Sequence, residues 1–333
     1  MERPVHRSKL PASLGVLAVV GAVIAAAWAV VDVRAPSRAA QQELRDLTAS
    51  SQRRAAAATT PNRQATPPLC GELTRTRTGT VHDSTLDELS GLVQSRRDPH
   101  LLWAIEDSGN PATLTALRPS GAVVGRWNVD GATNDDWEDI ATAPGGPGGV
   151  AWLYAADIGD NSDRRDTLTI YRVPEPASPA GGGTTAPAQP LQLAYPDGAH
   201  DAESFIVDPR RGTLIVVTKS VPGAVYAAAQ PKSWSGTVRL RKIHDAGIAY
   251  ATAADISADG RTVALRGYFN VKLWARRAGE PLTQTLRRAG CTSPTLLDDG
   301  QGEALALAGN GRSAWIVAEG TDPPIRRLTP RDP

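Results

Sequence analysis

The chain has 333 residues, 36 of them basic and 35 acidic, for a formal net charge of +1. So even a balance lacks the basic footprint of a nucleic-acid binder, and no such partner is expected. Two cysteines are too few for a thiolate metal cluster and fit an oxidising compartment.

In chain order, a basic segment (1–13, with Arg3, Arg7 and Lys9) precedes LGVLAVVGAVIAAAWAVV (14–31), an unbroken apolar run of 18 residues. The pattern reads as a transmembrane signal-anchor over 14–32 with the basic end cytoplasmic. A cleaved signal peptide is the alternative, because 25–29 contains several small residues. The rest of the chain is then outside the cell: single-pass at the cell membrane, or secreted after cleavage. Residues 33–69 lack apolar periodicity and are rich in Ala, Thr, Gln and Pro, as in a disordered linker. Residues 70–333 are expected to form one domain. Cys70 and Cys291 are expected to pair, although Cys291 follows an outer strand running towards one face and Cys70 precedes a strand from the other.

Within that domain one pattern recurs. A polar or acidic residue opens a short apolar strand, a turn follows, and a second apolar strand returns. The copies start at Glu88 (ELSGLVQSRRDPHLLWAIEDSG), Glu138 (EDIATAPGGPGGVAWLYAADIGD), Glu203 (ESFIVDPRRGTLIVVTKS), Thr252 (TAADISADGRTVALRGY) and Glu303 (EALALAGNGRSAWIVAEG). The intervals are 50, 65, 49 and 51 residues, and removing the Pro/Gly/Ala-rich insertion PEPASPAGGGTTAPAQP (174–190) reduces the second to 48. A period near 48 with four short strands predicts an all-β fold: a single β-propeller of five blades. The N-terminal strand ELTRTRTGTV (72–81) is expected to complete the C-terminal blade. A sixth, degenerate blade within the long interval is the alternative count.

In a propeller the start of each inner strand and the end of the next strand share one face. That rule gathers Glu88, Asp136, Glu138, Glu203 and Glu303 at one mouth of the channel with Asp107, Asp157, Asp160 and Glu319. Converging carboxylates raise one another's pKa unless a cation intervenes, and calcium accepts several carboxylate oxygens in flexible geometry. Those nine acids are the expected metal ligands. Lys219 and Arg266, the basic residues at equivalent stations, are expected to form an anion subsite. Trp137, outside the regular tryptophan positions, is a candidate ligand contact, and His200 a candidate proton carrier. DIGDNSDRRD (157–166) reads equally as a calcium loop or as an Asp/Asn-rich turn capped by ion pairs.

Taken together, DWEDIA, LYAADIGDNSDRRDTLTIYRVPEP, DAESFIVDP, VVTKS and AADISADGRTVALRGY resemble bacterial exported propellers related to calcium-dependent β-propeller phytases and their esterase-like relatives. The resemblance spans roughly 70–330 and is most specific from DWED to GDNSDRR. It implies a propeller fold, Ca²⁺ at the acidic mouth and a phosphoester or ester substrate. The expected catalytic set is Glu138, Glu203, Lys219 and Arg266, acting on a small anionic substrate in a monomer. The rival reading is a non-catalytic module that binds a cell-envelope ligand around a structural cation. A lactone or sugar-acid hydrolase is a third.

Overall fold

The computed structural model describes residues 66–293 and 302–331. Five mainly antiparallel sheets dominate them, with one short α-helix, Leu282–Arg287, and a 3-10 turn, Pro147–Gly149. The inner strands are Leu89–Gln94, Trp137–Ala143, Ala202–Val207, Ala251–Ile256 and Gly302–Leu307. Each is followed in its sheet by Leu102–Glu106, Trp152–Asp157, Leu214–Thr218, Thr262–Gly267 and Ala314–Ala318 respectively. These second strands are buried along their whole length, so they read as continuous apolar runs with no alternation. Outer strands are only partly exposed, and Leu73–Thr80 carries alternating Thr and Arg.

Every inner strand packs against the inner strands of both neighbouring blades. Five hydrophobic clusters fill the gaps, one for each interface, including that between the fifth blade and the first. The chain is therefore an all-β, five-bladed propeller. The long second interval holds no sixth blade. Its insertion lays Gly183–Thr184 parallel to the outer strand Val123–Asn128 of blade 1. Thr237–Arg239, from the third blade's outer connection, likewise adds a parallel edge to blade 2 beside Gln189–Ala194. Leu73–Thr80 is hydrogen-bonded antiparallel to Pro324–Pro330 in the fifth sheet.

Cys70 and Cys291 are joined by a disulfide across 221 residues. The approach from opposite faces is resolved by the stretch before the first strand. Leu69 is buried among Val271, Leu273, Leu305 and Leu328, so the chain crosses the gap between blades 4 and 5 and brings Cys70 to the outer strand Cys291–Ser293. A disulfide is at home in an oxidising, extracellular setting. The expected membrane span and most of the expected linker lie outside the described residues. Among the described residues, no helix is long and apolar enough to cross a membrane.

All five inner strands share one irregularity. The pairing with the second strand slips around Ser90, Glu138, Glu203, Thr252 and Glu303, which marks a β-bulge at the same position in every blade. The blade-1 station is thus Ser90, two residues beyond the expected Glu88. Ser90 Oγ donates to the Trp137 carbonyl at 2.8 Å, and Thr252 Oγ1 donates to the Gly302 carbonyl at 2.7 Å, each stapling its blade to the next. The three bulged glutamates have longer side chains, and these reach the channel mouth.

Candidate metal centre at the channel mouth

The mouth is a cavity of about 30 Å³ lined by Glu88, Asp107, Glu138, Glu203, Lys219, Glu303 and Glu319, with Ser90 at its floor. That is room for a water-sized sphere or two and no more. On one side Asp107, Asp136 and Glu138 each offer an oxygen, all within 4.8 Å of one another. Local backbone geometry produces this convergence. Asn134 donates from Nδ2 to the carbonyls of Glu106 (3.0 Å) and Asp107 (2.8 Å) and accepts at Oδ1 from Trp137 N (2.9 Å). The loop of blade 2 is thereby tied to the strand end of blade 1. The Asp136 carbonyl accepts from Ile158 N and Gly159 N, both at 3.1 Å. Gly159 is required for close approach: a Cβ there would lie 2.4 Å from both Asp136 Oδ2 and Glu138 Oε1.

Among the described residues no basic group is ion-paired with any of these three acids, and Asp136 Oδ1 is buried with no hydrogen-bond partner. Burial, then the neighbouring Asp107, pushes the Asp136 carboxyl up to about 7. Burial, then Glu203, Asp107 and Asp136, raises Glu138 well above the usual carboxylate range. Glu319, at the rim, is raised to about 7 by burial and by Glu303 and Asp107. With these carboxyls raised, binding of a cation would displace protons from them. Its donors are all hard oxygens, the set that calcium or magnesium prefers.

On the opposite side Lys219 forms a close ion pair with Glu203 and sits 5.4 Å above the Tyr268 ring. Burial lowers its pKa, but Glu203, Tyr268 and Glu303 outweigh that, so the ammonium stays charged. Tyr268 in turn stacks on Tyr250, which holds a left-handed backbone at φ 51°. That conformation is uncommon for a bulky side chain.

The structure redistributes the remaining expected residues. Glu88 lies at the rim, exposed, and accepts from Asn110 Nδ2 at 2.7 Å. Asp157 is not in the cluster: it pairs with Arg165 at 2.7 Å and accepts from Asp136 N at 3.1 Å. Asp160 accepts from Arg164 N (2.6 Å) and Arg165 N (2.7 Å). The stretch 157–166 thus carries one ion pair, Asp157 with Arg165, and a turn held by backbone donors to Asp160. Arg266 does not face the mouth as an anion donor. It is 0 % exposed and donates Nη1 to the carbonyls of Ala304 (2.5 Å) and Val317 (2.9 Å), tying blade 4 to blade 5. Trp137 is fully buried in the cluster between blades 1 and 2, with Nε1 donating to the Thr133 carbonyl. His200 is held by Asp197 (3.1 Å) and Tyr226 (2.9 Å), edge-on to Tyr195.

Sequence reasoning missed two channel acids, Asp139 and Asp255. Both are buried and accept backbone N–H groups from other blades. An Asp-Ile step inside an apolar strand, EDIA and ADIS, was the available signal.

No family model matches the chain, and no curated protein matches it by sequence. Among solved structures, a chain in the crystal structure of a nidogen/laminin complex aligns at 11 % identity and a TM-score of 0.38, over 69 % of this chain and 72 % of that one. That likeness bears on neither substrate nor partner. The propeller is defined by the strand order of its own five sheets. None of these comparisons shows the relationship to β-propeller phytases.

Proposed function

We propose that this is an exported propeller whose channel mouth binds a divalent cation, Ca²⁺, between Asp107, Asp136 and Glu138. The ion presents its remaining positions to a small anionic or cell-envelope ligand. One observation carries the reading: three carboxylate oxygens within 4.8 Å, none ion-paired among the described residues, gathered around a glycine that leaves them room. Asp107 and Asp136 are only partly buried, so the cluster opens outward. Glu203, Glu303 and Glu319 line the remainder of the cavity. Attachment through residues 14–32 belongs to the same proposal.

A second reading, hydrolysis of a phosphoester or ester at the same mouth, draws support from Lys219, which lines the same cavity as the acids. A bound divalent cation supplies polarisation of an oxyanion and a lowered pKa for water. Lys219 would hold a second oxyanion, and Glu138 or Glu203 would accept a proton. The binding reading is favoured because Lys219 is already engaged by Glu203 and Arg266 is buried.

Calorimetric titration of the chelator-treated full chain with calcium tests the proposal. Saturable binding is expected, lost or weakened at least about tenfold in Asp136→Asn and Glu138→Gln, since each removes a charged ligand. Unchanged binding in both variants contradicts it. Turnover of a generic phosphoester, abolished by Lys219→Ala, would favour the hydrolytic reading.

A further inference from the structure

At the end of the channel opposite the acidic mouth lies a second cavity of about 230 Å³, lined by Val93, Arg96, Thr142, Asp255, Ile256 and Leu307 among others. Four of the five blades contribute to it, each from the last residues of its inner strand or the turn that follows. Its one cation is Arg96, at the turn after Leu89–Gln94.

The state of that guanidinium is unusual for its burial. Nη2 donates to the Thr142 carbonyl at 3.3 Å and Nη1 to the Ala258 carbonyl at 3.4 Å, both long, and the buried Nε has no partner. None of the ion pairs among the described residues includes it. Arg276 in the same protein shows the satisfied case: its two Nη atoms fork onto Asp208 at 2.7 and 2.8 Å, while Nε reaches the Glu280 carbonyl at 2.7 Å. Arg96 as a whole is half-buried, and the part of a guanidinium taken from water, here its Nε edge, loses hydration that a planar, two-oxygen acceptor restores well. Arg96 has such space in front of it and no such acceptor.

We propose that this cavity binds a short-chain aliphatic monocarboxylate, its two oxygens forked against Arg96 and its tail lying along Val93, Ile256 and Leu307. The class follows from the lining. Val93, Ile256 and Leu307 form an apolar side of the cavity; polar groups make up much of the rest, and there the amide and hydroxyl groups are locked by the protein's own hydrogen bonds. Gln94 is held by Pro99 O and Gly309 N, each at 2.7 Å. Asp255, on the wall, accepts from Ile256 N and Leu307 N at 2.7 Å each. A carboxyl group in that position penalises a doubly charged anion more than a singly charged one. Phosphate is therefore a poor occupant, and a hydrated inorganic anion gains nothing from the apolar wall.

Saturation-transfer NMR of propionate in the presence of the full chain reads the interaction directly. The expected result is a saturable propionate signal, weakened at least about tenfold in Arg96→Gln and less in Arg96→Lys, because a charge-assisted fork is lost. Should Arg96→Gln fail to fold, weakening in Arg96→Lys carries the test, since lysine keeps the charge and loses the fork. Inorganic phosphate at equal concentration is expected not to displace propionate. The proposal is overturned if millimolar propionate gives no signal, if the signal is unchanged in a folded Arg96 variant, or if phosphate displaces it equally well.

Discussion

Asp139 Oδ2 accepts a hydrogen bond from Phe205 N at 2.8 Å, across the interface of blades 2 and 3, deep in the channel. The same oxygen accepts from Ala254 N on blade 4 at 3.0 Å. Inner strands expose one edge of backbone donors to the channel, and buried donors need partners. Asp139 supplies two of them, while burial, outweighing its three backbone donors, raises its pKa well above the carboxylate range. Asp139→Ala is expected to destabilise the fold by about 2–5 kcal/mol, because two buried N–H groups lose their acceptor. Denaturant unfolding measures it, and a loss under about 1 kcal/mol would refute the role.

Asp208 and Arg276 form a bidentate pair with side chains 0 % and 1 % exposed, locking the lower end of blade 3 to blade 4. Removing one partner strands a buried charge. Arg276→Ala is expected to cost about 3–5 kcal/mol by the same assay, more than the double change to apolar residues of similar volume.

Asp255 gives the pH dependence its sign. Burial pushes its carboxyl to about 7, against the opposing pull of Leu307 N, Ile256 N and Arg96. The folded value lies above the unfolded one, so the folded state binds the extra proton between the two. Its contribution to stability is full below about pH 4 and lost as pH rises through about 7. Glu106, raised to about 7 by burial, acts in the same direction. Without added cation, melting temperature should fall between pH 4 and 7, and Asp255→Asn should flatten that slope. A slope identical in the variant would remove Asp255 from the account.

The disulfide closes a loop spanning 221 residues and clips the outer edges of blades 4 and 5. In the chain-entropy model such a loop stabilises by up to about 5 kcal/mol. The double change Cys70→Ser/Cys291→Ser should lower the melting temperature in non-reducing buffer and abolish any further effect of reductant. Equal melting of variant and oxidised protein would contradict that stabilisation.

The repeat period revealed the propeller because each blade must bury two faces of its second strand, which forces an apolar run at fixed spacing. It also placed Glu138, Glu203 and Glu303 at one mouth. Register failed at blade 1, where Glu88 was nearer the expected charge than Ser90. The bulge needs a side chain that can reach a backbone carbonyl or the channel, and serine, threonine and glutamate all satisfy that. Thr252 already carried the hint. Arg266 misled because strand position gives the face of a side chain but not its reach. Its length carries the guanidinium past the mouth to the carbonyls of blade 5. The pairings of Asp139 with Phe205 and Asp208 with Arg276 join residues 66 and 68 apart in sequence, which no local pattern reveals.

The most direct test of the cation site is an anomalous difference map from crystals of the chain grown with calcium or a lanthanide. The account predicts a single strong peak at the mouth, bounded by Asp107, Asp136 and Glu138, with oxygen distances of about 2.3–2.6 Å. A map with no peak between those three side chains, at saturating ion, would contradict it.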